Sequence, residues 1–148
     1  MTLILPLGLK ARIEAEARAA FPRECCGLIE GIVSGAVFEA RALHAARNQA
    51  QAPDRFDIAP EDHLKASRLA RTRGHRLIGC YHSHPNGVAE PSRQDANGAA
   101  EEDFLWLIAA TDGAAAHIRA FAYRSSAFEP VAFTTGADLV TSSPNERN

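Results

Sequence analysis

The segment from residue 76 to residue 84 constrains the fold of this chain more than any other part of the sequence. Apolar residues dominate its first half and predict a buried β-strand, and it runs into His82-Ser83-His84-Pro85. In an extended chain, residues i and i+2 point to the same side of a sheet, so His82 and His84 project together while Ser83 points away. The sequence therefore predicts two imidazole rings that face one point at the end of a buried strand.

A carboxylate follows these histidines at a predicted helix start. Residues 85–91 are rich in turn-forming residues and predict a loop that reverses the chain, after which Ser92 can cap a helix carrying Asp95 in its first turn. Two histidines and one carboxylate match the three protein ligands that a catalytic zinc typically takes. His82, His84 and Asp95 are thus a candidate zinc site. Taken alone, the histidine pair and the helix start are each weak evidence for a metal site. Two unrelated strand histidines would explain the first, and an ordinary capped helix would explain the second.

Helical and extended patterns alternate along the rest of the chain, and turn residues separate them. In chain order the expected elements are a strand at 2–5, a helix from Leu9 to the residue before Pro22, a hairpin at 25–33 and 37–43 with its turn at Ser34-Gly35, a short strand at 55–58, a helix from Pro60 to about Gly74, the motif strand, a helix opening at Ser92, and strands at 104–109, 117–123 and 128–133. This order predicts an α+β fold (an α/β three-layer arrangement), in which helices flank a mixed, mostly antiparallel β-sheet.

Length and composition limit the domain count and the classes of partner. The 148 residues, 46% of them hydrophobic, suffice for one core, so we expect a single domain at 1–134 and a disordered tail at 135–148. A formal charge of −2 argues against nucleic-acid or anionic-membrane binding. No signal segment or membrane span is evident, and three cysteines do not make a disulfide framework, so we expect a cytoplasmic protein.

Two further segments complete a resemblance to a known family. The arrangement His82-x-His84-Pro85, Ser92 and Asp95 resembles the signature of the JAMM (MPN+) metallopeptidases of the bacterial stand-alone type. Upstream, residues 22–28 (Pro-Arg-Glu-Cys-Cys-Gly-Leu) and 56–60 (Phe-Asp-Ile-Ala-Pro) also resemble family segments, and the resemblance covers about residues 3–133. It implies a JAMM/MPN (cytidine-deaminase-like) fold and hydrolysis of amide or isopeptide bonds at the tail of a ubiquitin-like protein.

The resemblance also implies a role for each candidate residue. His82, His84 and Asp95 would bind one Zn²⁺ per chain, and Glu24 would act as general base on a metal-activated water. The Ser92 hydroxyl would stabilise the developing oxyanion, although helix capping alone also explains a serine there.

The residues alone do not select Glu24 as the base. Glu30 and Glu39 are equally plausible carboxylates on the same predicted hairpin, and only the family context of residues 22–28 decides between them.

The remaining metal-capable and charged side chains have simpler interpretations. Cys80 shares a strand face with His82, so it is either a competing zinc ligand or a buried thiol, and we favour the buried thiol. Cys26 is likewise interpreted as a core residue and not as a catalytic one. A basic run on the second helix is either a solvated face or a docking patch for an acidic partner; it comprises Lys65, Arg68, Arg71, Arg73 and Arg76. The other histidines show no ligand spacing and are treated as ordinary; they are His44, His63, His75 and His117.

Three functions are compatible with these features. The leading hypothesis is a zinc metallopeptidase acting on a ubiquitin-like or sulfur-carrier protein with a Gly-Gly tail. The alternatives are a non-catalytic MPN-type interaction scaffold, against which the complete ligand set argues, and a zinc hydrolase of a small amide. Edge strands in so small a domain also make a homodimer compatible with the sequence.

Overall fold

The computed structural model describes residues 1–136 of the chain, and these form three helices and eight strands. In chain order the elements are β1 (Thr2–Ile4), α1 (Leu7–Ala20), β2 (Cys26–Ser34), β3 (Val37–Ala46), α2 (Pro60–Thr72), β4 (Arg76–His84), α3 (Arg93–Gly98), β5 (Leu105–Thr111), β6 (Ala116–Arg124), β7 (Ala127–Val131) and β8 (Phe133–Thr134). The tail predicted from residue 135 onward lies, apart from residues 135 and 136, outside the described residues.

The strands form one mixed sheet in the order β7-β6-β5-β4-β2-β3-β1-β8. Neighbours pair antiparallel except β4 with β5, β1 with β3 and β1 with β8. The two end strands, β7 and β8, are consecutive in the chain and separated only by Ala132, whose carbonyl accepts a hydrogen bond from the Leu3 amide. The sheet therefore curls so that its two edges approach each other.

Helix α1 packs on one face of this sheet. Its buried positions, Ile13 and Ala17, are four residues apart on one helix face and join a core that includes Leu3, Ile29 and Leu107. The same face receives alternate residues from nearly every strand, which is the period-two pattern of a sheet with a buried side.

Helix α2 covers the opposite face, where the candidate site lies. Pro60 at its first position, Glu61 and Asp62 in the first turn and Gly74 in a left-handed conformation beyond its end define its limits, as predicted. The core on this side combines Ala66 of α2 with alternate residues of the central strands; the strand residues are Leu28, Cys80, Trp106, Ile108 and Phe121. Because helices lie on both faces of a mixed sheet, the predicted fold class is confirmed.

Three local predictions are wrong. The strand expected at 55–58 is reduced to one bridge between Asn48 and Ile58, because the Asn48 side chain takes the backbone groups of Arg55 and Asp57 that a strand would pair. The hairpin turn lies at residues 35–36, since Ser34 still pairs with β3. The strand expected at 128–133 divides into β7 and β8 at opposite ends of the strand order.

Among residues 1–136, no helix has the length and apolar character that crossing a membrane requires.

Candidate active site

His82 and His84 lie at the end of β4 with their rings side by side. Their Nε2 atoms are 2.9 Å apart, and His82 is completely buried. Ser83 points to the other side, where its Oγ accepts a hydrogen bond of 2.8 Å from the Cys25 amide. The alternation expected of an extended chain thus places both imidazoles on the α2 face of the sheet.

Asp95 reaches both histidines from the first turn of α3. Its Oδ1 is 3.1 Å from the His82 Nε2 and its Oδ2 is 3.1 Å from the His84 Nε2. The helix begins with a capping box, in which Ser92 Oγ accepts from the Asp95 amide and the Ser92 amide donates to Asp95 Oδ2. Burial alone would raise the pKa of Asp95, but the hydrogen bonds from His82, His84 and the Ser92 amide hold it well below its usual range.

The chemistry of these donors fits a metal ion. The Nδ1 of His84 is 2.9 Å from the Val88 carbonyl, which can only accept, so Nδ1 carries a proton and Nε2 is the nitrogen available to a metal ion. Tetrahedral zinc ligands at 2.0–2.2 Å from the ion are about 3.4 Å from one another. The observed separations of 2.9 and 3.1 Å are close to that value, so one ion can be shared by His82, His84 and Asp95.

Glu24 completes the cluster from a distant part of the chain. Its carboxylate and the ring nitrogens of His82 and His84 all lie within 4.8 Å of one another, an arrangement that could hold a metal ion. Burial and the charges of Asp95 and Asp54 raise the pKa of Glu24 to about 7, although His84 opposes them. Its Oε1 is buried and has no hydrogen-bond partner among the described residues. Such an oxygen is suited to bind water or exchange a proton near neutral pH.

Two backbone anchors hold Glu24 in place. On its C-terminal side, Cys25 exchanges two hydrogen bonds with Ser83, through the Ser83 Oγ and the Ser83 amide. The carbonyl of Glu24 itself accepts a bond of 3.0 Å from the Asn48 side chain. The backbone at Glu24 is therefore held by Ser83, which lies between the two histidines, and by Asn48, which lies two residues beyond β3.

Asn48 also organises the segment that covers His82. Its Nδ2 donates to the carbonyls of Glu24 and Arg55, and its Oδ1 accepts from the amides of Ala50 and Asp57. Within that segment, Phe56 stacks on the His82 ring with centroids 4.2 Å apart and an interplanar angle of 22°.

The stacking of Phe56 orients a histidine that lacks a second hydrogen bond. The Nδ1 of His82 has no partner among the described residues, whereas the Nδ1 of His84 donates to a carbonyl. Metal-binding histidines are usually oriented through the ring nitrogen that does not bind the metal. The His82 ring is oriented instead by stacking on Phe56 and by an edge contact with Trp106, whose ring centroid is 5.8 Å away.

A pocket of about 340 Å³ opens beside Asp95, and we call it the side pocket. Its apolar lining comprises Leu28, Phe56, Ile58, Cys80, Phe104 and Trp106. Because Asp95 lines it while Glu24 does not, the side pocket adjoins the metal-capable cluster on the side away from Glu24.

Every predicted site residue is found at this cluster or on its border. The sequence reasoning missed Asn48 and Phe56, and it assigned Ser83 no role. Phe56 lies within residues 56–60, which resemble a family segment, and Asn48 lies outside every predicted helix and strand. No local sequence pattern indicated which residues these two side chains contact.

The alternative residues lie elsewhere or are otherwise engaged. Glu30 is completely buried in a separate cluster with His44, His75 and Arg73, and Glu39 pairs with Arg41. These contacts remove both carboxylates from consideration as the base.

Cys80 is a buried side chain of the α2-side core. Burial raises the pKa of its thiol well above the usual value, which disfavours the thiolate that would bind a metal, and its side chain packs with Leu28, Trp106 and Ile108. The five residues of the basic run, which lie on α2 and in the segment that follows it, are exposed, and in the described part of the chain Arg73 forms an ion pair with Glu30.

Comparisons with known proteins agree with this geometry. A family model described as prokaryotic homologs of the JAB domain matches residues 6–124. Two proteins named desampylase are similar in sequence. The one from Pyrococcus furiosus is 31% identical over 72% of this chain and 73% of its own length, and the one from Haloferax volcanii is 29% identical over 62% of this chain and 66% of its own length.

Solved structures show the same fold. A protein from Desulfitobacterium hafniense has a TM-score of 0.79 at 25% identity, covering 90% of this chain and 92% of that one. A JAB1/MPN domain protein from Archaeoglobus fulgidus has a TM-score of 0.52 at 17% identity, covering 89% of this chain and 96% of its own, and it shows the fold alone.

Proposed function

The chain belongs to the prokaryotic homologues of the JAB domain, and on this premise we propose that it is a zinc-dependent metallopeptidase. Its two desampylase relatives indicate a hydrolase. The observation that carries the proposal is the convergence of His82, His84 and Asp95 beside Glu24, a buried carboxyl whose pKa is raised to about 7. The bond cleaved is an amide or isopeptide bond at the C-terminal tail of a ubiquitin-like or sulfur-carrier protein.

In this proposal His82, His84 and Asp95 hold one zinc ion per chain. When bound, zinc supplies Lewis-acid chemistry that polarises the scissile carbonyl and makes water acidic enough to attack near neutral pH. Asp95 stays ionised because its contacts with the two imidazoles and the Ser92 amide keep its pKa low. Because Val88 accepts the Nδ1 proton of His84, the Nε2 of His84 is the nitrogen that would release its proton and bind zinc.

Glu24 moves the proton in both halves of the reaction. As general base its carboxylate takes a proton from the attacking water, and as general acid it delivers that proton to the leaving amine nitrogen. A pKa of about 7 suits both tasks, because neither form is strongly favoured at neutral pH. The anchors at Cys25 and Asn48 hold the carboxylate in place for both transfers.

Ser92 serves as helix cap and as oxyanion donor. Its Oγ accepts from the Asp95 amide, which leaves the hydroxyl hydrogen free to donate to the carbonyl oxygen as negative charge develops there. Contacts of this kind contribute about 3 kcal/mol of transition-state stabilisation.

The relatives' names bear on the substrate class. The name desampylase, shared by two of them, favours a ubiquitin-like modifier with a Gly-Gly tail as the acyl part of the substrate. A non-catalytic scaffold would not need a buried Glu24 beside a complete ligand set. A hydrolase of a small amide is the second candidate, because the side pocket of about 340 Å³ has the size of a small-molecule site.

Replacing Glu24 and His82 separates metal binding from catalysis. We expect Glu24→Gln to retain one zinc per chain and to lose at least about a hundredfold in turnover of a Gly-Gly amide, since general acid-base catalysis contributes 10²–10⁴-fold. We expect His82→Ala to lose the zinc itself. Zinc content by atomic emission and amide cleavage by chromatography are the measurements.

The matched control is Glu39→Gln, which neutralises a carboxylate that pairs with Arg41 on the same hairpin. It should keep both zinc and activity. Full activity in Glu24→Gln would overturn the mechanism, and a wild-type protein that binds no zinc would overturn the metallopeptidase proposal. A carrier protein retained by Glu24→Gln in its source cell would identify the substrate.

A further inference from the structure

We propose that the side pocket binds one large apolar side chain of the substrate, and that this side chain belongs to the acyl tail rather than to the leaving amine. The inference rests on the proposed function, because it assumes that an amide is cleaved at the neighbouring cluster. It adds a sequence requirement for the tail that a Gly-Gly ending alone does not provide.

The lining of the side pocket selects an apolar occupant. The apolar part of its lining includes the three aromatic residues Phe56, Phe104 and Trp106. Its polar lining residues are Arg55, Asp57, His63, Gln94, Asp95 and Glu101. The charges of Arg55, Asp57 and Glu101 are exposed, so water and salt screen them, whereas the carboxylate of Asp95 is engaged by His82 and His84. A cavity of about 150 Å³ can bind benzene, so 340 Å³ accommodates a leucine or phenylalanine side chain.

The position of Glu24 assigns the pocket to the acyl side. Along β2 and β4 the register pairs Cys26 with His82 and Leu28 with Cys80. Leu28 and Cys80 line the pocket, whereas Glu24 lies beyond Cys26, at the opposite side of the histidines. Because Glu24 must reach the leaving nitrogen, the leaving group lies on its side, and the acyl tail extends towards the side pocket.

A tail that ends in Gly-Gly then places its first side chain at the third residue before the scissile bond. In an extended tail that residue is about 7–10 Å from the bond, since each residue advances about 3.3 Å. The occupant is therefore the residue written X in a tail of the form X-Gly-Gly.

The single tryptophan of the chain makes this binding measurable without catalysis. Trp106 lines the side pocket, so its fluorescence should respond when the pocket fills. The probes are the peptide acids Ala-Gly-Gly, Leu-Gly-Gly and Phe-Gly-Gly, added to the zinc-loaded protein. We expect a saturable change with the leucine and phenylalanine peptides, at least about tenfold tighter than with the alanine peptide.

Gly98 provides pocket variants with a matched control. Gly98 lines the pocket, has no left-handed backbone and would place an added Cβ more than 4 Å from any neighbour. Gly98→Leu should reduce the preference for phenylalanine over alanine, and Gly98→Glu should shift it towards lysine at X. Gly8, in α1, is equally free of contacts, so Gly8→Leu and Gly8→Glu should keep the wild-type preference.

Cleavage of X-Gly-Gly amides with a reporter amine separates the two proposals. A Trp106 response that depends on X, without cleavage of any amide, would leave the pocket in place and overturn the proposed function. Cleavage that is indifferent to X, with no Trp106 response, would overturn the pocket proposal and leave the function standing. Selectivity for an apolar residue on the amine side instead of at X would also overturn the pocket proposal.

Discussion

At the scale of single residues, Ser83 connects the two parts of the site. It separates the histidines in sequence, yet its side chain points to the opposite face and bonds to the Cys25 amide next to Glu24. A serine at this position therefore aligns a segment 58 residues upstream with the metal-capable strand. The hydroxyl thus stabilises the position of Glu24 from the opposite face of the sheet.

Replacing Ser83 by alanine tests this connection. Ser83→Ala leaves the Cys25 amide without its acceptor, which should lower the free energy of unfolding by about 1–3 kcal/mol. Zinc content should stay at one per chain, while kcat falls and KM changes little, because Glu24 loses an anchor. Urea unfolding, atomic emission and steady-state kinetics measure the three quantities. Ser34→Ala, at the exposed end of β2, is the control, and equal effects of both substitutions would contradict the assignment.

At the scale of elements, the segment between β3 and α2 acts as a cover for the site. It has almost no backbone pairing of its own, and the Asn48 side chain makes four hydrogen bonds that tie it down. Through these bonds one side chain positions Glu24 on one side and Phe56, stacked on His82, on the other. Together with two backbone hydrogen bonds between its ends, this one side chain holds the irregular segment in place.

Loss of the Asn48 side chain should loosen this cover. We expect Asn48→Ala to increase hydrogen exchange at the Ala50 and Asp57 amides by at least about tenfold, since the free energy of local opening falls by about 1.4 kcal/mol or more. Exchange measured by NMR is the readout. Gln49→Ala removes a neighbouring side-chain amide whose hydrogen bond, within residues 1–136, goes to the exposed Asp57 carboxylate, and it should change these rates little. Unchanged exchange rates in Asn48→Ala would show that the Asn48 side chain does not hold this segment in place.

At the scale of the whole molecule, a second buried cluster joins four segments far from the site. Glu30 on β2 contacts His44 on β3, His75 before β4 and Arg73 after α2. It lies six residues from Glu24, about 20 Å along an extended chain. Burial alone would raise the pKa of Glu30, but hydrogen bonds from His75 and His44 and the charge of Arg73 lower it below 4.5.

This cluster predicts a pH-dependent stability that is independent of activity. Because the folded pKa of Glu30 is depressed, its contribution is present above pH 4.5 and is lost as the pH falls through the folded value. Glu30→Gln should therefore lower the free energy of unfolding by about 2 kcal/mol at pH 6, with a smaller difference at pH 3.5. Urea unfolding at both pH values is the measurement. A pH-independent difference would show that the carboxylate charge is not the cause.

The local patterns of the sequence predicted the parts of the site that lie close together in the chain. The two-residue period of a strand places His82 and His84 together, and a capping box at Ser92 places Asp95 on the first turn of its helix, because backbone geometry alone determines both. The limits of α2 followed in the same way from Pro60 and Gly74. These features depend on interactions within a few residues, which a sequence pattern records directly.

Only the tertiary structure decided what depends on contacts between distant segments. The contact of Glu30 with Arg73, of Asn48 with Glu24, of Phe56 with His82 and of β8 with β1 each joins residues far apart in the sequence. No local period encodes such contacts, because they arise when strands pair and the sheet curls. The sequence by itself therefore determined a metal-capable strand and helix, whereas the tertiary structure decided how Glu24 is anchored beside them and where the side pocket lies.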